Sequence, residues 1–96
     1  MESKVLIRVR RTPPQALGPL LRDARERAGL SQRETSRRTG IVQSYLWRLE
    51  SGQRCPSMAV AERLADALQL TLPECRTLFG CAVTDAGRSH PDRATA

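Results

Sequence analysis

The chain's only Trp and only Tyr fall in one stretch, GIVQSYLWRLESG, which runs from Gly40 to Gly52. Read at a helical period, Leu46 and Leu49 share one side, and Ile41 in the preceding turn can join them. Gln43, Ser44, Trp47 and Arg48 follow the spacing i, i+1, i+4, i+5 and so share the opposite side. Such side chains can read the edges of bases. Glutamine pairs with N6 and N7 of adenine in bidentate fashion, and arginine with O6 and N7 of guanine. Ser44 suits either a base or a phosphate. Trp47 has three readings: it lines the groove of a duplex, offers an exposed patch to a partner, or packs in part.

Other chemistries find no residues. The chain shows no nucleophile beside a base and no glycine loop of the kind that cradles a nucleotide's phosphates. Cys55, Cys75 and Cys81 include no C-x-x-C pair and match no zinc or iron–sulfur spacing. They read as reduced structural thiols, with no metal and no cofactor expected. His90 lies in a polar tail and suggests no site. The expectation is a protein that is not an enzyme.

Charge narrows the partners. The net charge is +6, and all the basic residues but Lys4 are arginine. Such an excess favours a polyanion, either nucleic acid or an anionic membrane surface. No apolar run approaches the roughly 20 residues that span a bilayer. Arg8, Arg10 and Arg11 interrupt VLIRV too early for a signal peptide, so a cytoplasmic protein is expected. With 40% hydrophobic but only 3% aromatic residues, Leu and Ala must build the core of a single domain.

The elements that must carry the face at 43–48 can be read in order. Residues 1–16 form a basic arm ending in TPPQ. Within it Val5, Ile7 and Val9 alternate with Leu6, Arg8 and Arg10, a strand period. A lone strand cannot satisfy its own backbone, so the arm pairs with a second copy, pairs with another protein, or stays a flexible basic segment. Residues 17–81 read as five packed helices. Leu17, Leu20, Leu21, Ala24 and Ala28 mark the first, with Pro19 in its opening turn and Gly29 at its end. SQRE at Ser31 is a capping box that opens a short second helix, which stops at Gly40. The third covers about 42–51. Ser57 caps the fourth, with Val60, Leu64, Ala65, Leu68 and Leu70 as its stripe. TLPE at Thr71 opens a fifth, which presents Leu72, Cys75, Leu78 and Phe79. Residues 82–96 have almost nothing to bury and read as a disordered tail.

Two short helices joined by a tight glycine turn set a second helix in the DNA major groove, and here that unit runs from Gln32 to Ser51. The run GLSQRETSRRTGIVQSYLWRLESGQRCPS carries GLSQ, the turn glycine, YLWRLESG and a Pro-Ser pair before the next helix. It resembles the lambda-repressor/Cro-like helix-turn-helix family, also called XRE, over about residues 17–80. The resemblance implies an all-α, five-helix lambda-repressor-like domain, double-stranded DNA as ligand, and a homodimer on a palindromic operator. It implies Gln32 on a phosphate, Gln43 and Ser44 as a base-reading pair, Arg48 as a later base reader, and Ser51 and Arg54 on phosphates. It implies Arg25 and Glu50 as an internal ion pair of structural importance. Leu78 and Phe79 belong either to the core or to a dimer interface, and dimerisation through the fifth helix, common in that family, favours the interface. Arg33, Arg37 and Arg38 form a solvated face beside the DNA backbone, with phosphates as the partners open to them.

The chain departs from that pattern in places. Ser36 stands where the family has Ala, and Thr35 and Thr39 where it has apolar residues, so a less well packed second helix is expected. Val42 stands at a capping position it cannot serve. Trp47 stands where the family has a small residue. Two functions are carried forward. One is a sequence-specific transcriptional regulator, acting as a repressor. The alternative is a protein-interaction module on the same fold, an antitoxin or a polymerase or sigma-factor adaptor, that uses the arm KVLIRVR.

Overall fold

Among the described residues each of five helices begins or ends on a local signal in the chain: α1 (Leu17–Arg27), α2 (Gln32–Thr39), α3 (Gln43–Glu50), α4 (Met58–Ala67) and α5 (Leu72–Cys81). The computed structural model describes residues 12–84. The arm residues Val5, Ile7 and Val9 and the chain from residue 85 onward lie outside the described residues.

Side chains close the exposed N–H groups of three helix starts. The Ser31 hydroxyl accepts from the Glu34 N–H at 3.0 Å, and the Glu34 carboxylate accepts in return from the Ser31 N–H at 3.4 Å. Thr71 and Glu74 repeat the exchange at the start of α5, at 3.3 and 2.8 Å. Ser57 takes the Val60 N–H at 3.2 Å to open α4. Each such cap contributes about 1 kcal/mol. Val42 supplies no cap to α3. The turn into α3 depends on Gly40, which holds φ +76° while its N–H reaches the Ser36 carbonyl at 2.8 Å. Ile41 and Val42 then lead into Gln43.

The core is built of leucine, as so few aromatics require. Leu17, Leu21, Leu46, Leu49, Leu64 and Leu78 are its largest leucines, all fully buried, with Val60 and Ala61 between them. α1 packs on α3, α2 packs on α3 and α4, and α5 closes against α4 and α1.

Three expectations need correction. Leu78 is wholly buried, so its side chain belongs to the chain's own core and offers nothing to an interface; Phe79 beside it is half-buried. Thr35 is wholly buried too, and α2 is not loosely packed there. Its hydroxyl donates to the Ser31 carbonyl at 2.9 Å, while the Thr39 hydroxyl donates to the Thr35 carbonyl at 2.7 Å. Thr39 also accepts the Ile41 N–H, and the Ser36 hydroxyl donates to the Ile41 carbonyl. Backbone partners thus satisfy the polar groups that replace apolar ones. Finally, the packed unit extends past α5. Ala82 is buried, the Val83 N–H donates to the Pro56 carbonyl at 2.9 Å, and the Met58 N–H donates to the Val83 carbonyl at 3.0 Å. Residues 82 and 83 therefore do not belong to a tail.

Candidate nucleic-acid interface

α3 has two unlike faces. Leu46 and Leu49 are buried against α1 and α2, which fixes the helix to the domain. On the other side Gln43, Ser44 and Arg48 are exposed, Val42 is 65% exposed and Trp47 51%. That face carries no acid. Arg48 has no acidic partner among the described residues, so its charge and five donors are open to an anion or a base edge.

Glu50, at the end of α3, ties the helix to both its neighbours. Arg25 Nε donates to Glu50 Oε2 at 2.7 Å and Nη2 donates to Oε1 at 3.1 Å. A third arginine donor, Nη1, reaches the Leu30 carbonyl at 2.9 Å and holds the segment that leads into α2. The pair is largely enclosed, with side-chain exposures of 12% and 6%. The hydrogen bond to Glu50 holds the Arg25 guanidinium above its ordinary pKa against the opposing pull of burial. Removing either partner would leave a charge half-buried and uncompensated. Gln32, assigned to a phosphate by resemblance, joins this group: its Nε2 donates to Glu50 Oε1 at 3.0 Å. One amide N–H is thereby engaged and the other stays available.

Cations surround the face. Arg33, Arg37 and Arg38 of α2 are exposed and without acidic partners among the described residues. The Arg54 guanidinium lies over the Tyr45 ring, 5.6 Å from its centroid, which holds it beside α3. Ser51 fits its expected role less well. Its hydroxyl donates to the Trp47 carbonyl at 2.8 Å and its N–H donates to the same oxygen at 2.9 Å, so both donors are engaged within the helix.

One residue escaped the sequence reading. Arg22 of α1 is exposed and lines a depression shared with Gln32 and Trp47. The available signal was its spacing three residues before Arg25, which places it on the same side of α1 one turn earlier.

The three cysteines form no disulfide. Among the described residues no cluster of His, Cys, Asp and Glu could hold a metal ion, and no helix is long and apolar enough to cross a membrane.

Comparison with known proteins agrees with this geometry. Residues 16–78 match the family described as a helix-turn-helix domain. An uncharacterised HTH-type transcriptional regulator of Methanothermobacter thermautotrophicus is 39% identical over 49 residues, covering 51% of this chain and 71% of the relative. Another, y4dJ of Sinorhizobium fredii, is 39% identical over 61 residues, covering 58% of this chain and 79% of the relative. No solved structure matches the chain significantly.

Proposed function

The chain belongs to the helix-turn-helix domain family, and from that premise we propose that it is a sequence-specific transcriptional regulator of the lambda-repressor/Cro-like (XRE) kind. It binds a palindromic operator as a homodimer and represses by occupancy, making and breaking no covalent bond. Both relatives carry the name of transcriptional regulators.

α3 enters the major groove. Gln43 and Ser44 meet base edges at its start, and Arg48 reads a guanine one turn further on. Arg33, Arg37, Arg38 and Arg54 neutralise phosphates on either side, and Gln32 donates its available N–H to another. The Arg25–Glu50–Gln32 group keeps α3 in register with α1 and α2. Dimerisation uses α5, where Leu72 (66% exposed) and half-buried Phe79 stand seven residues apart on one helical face. The arm residues Val5, Ile7 and Val9 add a second contact between protomers.

The observation that carries this reading is the outward face of α3. It is polar and cationic, free of acid, and held rigidly from behind by Leu46 and Leu49. The test is a gel-shift series on the DNA upstream of the protein's own coding sequence. Gln43→Ala combined with Arg48→Ala should weaken binding roughly 30-fold or more, since each good base contact contributes about 1–3 kcal/mol. Unchanged affinity in the double variant would sink direct readout by α3.

A further inference from the structure

We propose that the depression between the starts of α1 and α2 and the end of α3 seats one sugar–phosphate unit of the DNA backbone, with Arg22 as its cation and the Trp47 indole N–H as a second donor. This rests on the DNA-binding reading above and adds two things to it. Arg22 becomes a contact residue, and Trp47 moves from base reading to backbone clamping.

Charge is the first support. The ionisable groups that line the depression are Arg22, Arg25 and Glu50. Two positive charges and one negative leave a net +1. Glu50 is committed to Arg25 and Gln32 through three hydrogen bonds. Arg22 has no acidic partner among the described residues, so the unbalanced charge is its own.

Hydrogen-bonding capacity is the second. Gln32 keeps one amide N–H after bonding Glu50. Trp47 is half exposed, and its indole N–H, which can only donate, has no acceptor among the described residues. The amide of Gln15 and the Arg22 guanidinium add further N–H donors, while the two glutamine amide oxygens and the Ser51 hydroxyl oxygen are the side-chain acceptors here. A phosphate oxygen accepts and never donates, so it can take these N–H donors together with the Arg22 charge beside them.

Shape is the third. Pro13, Pro14 and Pro19 stand on the walls. Prolines present carbon, carry no N–H and are stiff, so they can pack a deoxyribose with little loss of freedom. Trp47 adds a flat apolar surface of the same kind. The site is also continuous with the reading face, because Trp47 stands one turn along α3 from Gln43 and next to Arg48.

The test uses the full chain and a duplex enriched from a random-sequence pool by rounds of binding to the wild type. Dissociation constants are measured by fluorescence anisotropy over a range of salt, on that duplex and on a scrambled one. Arg22→Gln should lower the slope of log affinity against log salt by about one and weaken both duplexes alike. Trp47→Phe keeps a ring and removes the N–H. It should cost about tenfold on both duplexes and leave the preference at every base pair unchanged, as loss of a hydrogen bond to a charged group predicts. Both sites are exposed, so both variants should melt close to the wild type. An Arg22→Gln chain with wild-type slope and affinity would overturn the proposal while leaving the regulator reading intact. So would a Trp47→Phe chain whose preference changes at a single base pair. A wild type that binds no duplex would overturn both.

Discussion

Gly18 meets the Glu50 carbonyl where α1 crosses the end of α3, and a Cβ built there would overlap that oxygen. The obstacle is backbone, so it cannot swing aside. Glu50 is also the residue whose side chain holds Arg25 and Gln32, so pressure at this crossing reaches the network that positions α3. Gly18→Ala should therefore cost about 1–3 kcal/mol in urea denaturation, as overpacked contacts do. Gly80 sits inside α5 with nothing within 4 Å of the place a methyl group would take, and Gly80→Ala should instead stabilise by roughly 0.5–1 kcal/mol. Equal effects from the two substitutions would refute a packing role for Gly18. Nothing local in the chain marks Gly18 for this role, because a close approach is a property of two elements that the chain brings together. Leu46 and Leu49 against Gln43, Ser44 and Arg48 were legible, since one helical period separates inside from outside. The bond from Gln32 to Glu50, the back-bonded Ser51 and buried Leu78 were not, since each depends on which side chain or surface arrives from elsewhere in the fold.

Three helices end by the same device, with the N–H two residues past the cap reaching back to a carbonyl in the last turn. Leu30 bonds to Arg25 at 3.1 Å, Gln53 to Arg48 at 2.9 Å and Leu70 to Ala65 at 3.1 Å. The residue between must turn left-handed. After α1 and α3 it is Gly29 and Gly52, but after α4 it is Gln69, the only non-glycine residue with positive φ among those described, at +51°. A side chain there costs about 1–2 kcal/mol, partly offset by the greater freedom glycine has when unfolded. Gln69→Gly should thus raise stability by about 0.5–1 kcal/mol, a gain of several degrees in Tm for a domain of this size. A lower Tm would show that the Gln69 side chain makes a compensating contact. The same comparison explains what could be read at this scale. Ends marked by glycine and starts marked by Ser31, Ser57 and Thr71 stood in the sequence at the right places, because caps are local chemistry. The end of α4 carried no such mark and was bracketed only by its apolar stripe and the Thr71 box. The hold of Val83 on the segment before α4 left no mark either, since it joins residues far apart in the chain.

Across the whole molecule, α1 and α5 close the bundle, and one ion pair joins them at the surface. Arg27 Nη1 and Nη2 each donate to a Glu74 carboxylate oxygen at 2.9 Å. Those bonds, and then the Thr71 N–H, pull the Glu74 pKa from an ordinary 4.5 down to about 2. A carboxyl with a depressed folded-state pKa favours the folded state wherever it is ionised. Its contribution is complete above about pH 4.5 and disappears as pH falls toward 2. The pair is partly exposed, at 48% and 20%, so solvent and salt will weaken it. Glu74→Gln separates the ion pair from the cap, because glutamine can still accept the Thr71 N–H as the capping box requires. The variant should melt below the wild type at neutral pH, and the gap should narrow steadily from about pH 4.5 to 2 and shrink with added salt. Melting curves followed by circular dichroism at a series of pH values would measure this. A gap that stays constant through that window would mean that Glu74 acts through its shape and its cap alone, and that packing of α5 on α1 and α4 closes the bundle without help from charge.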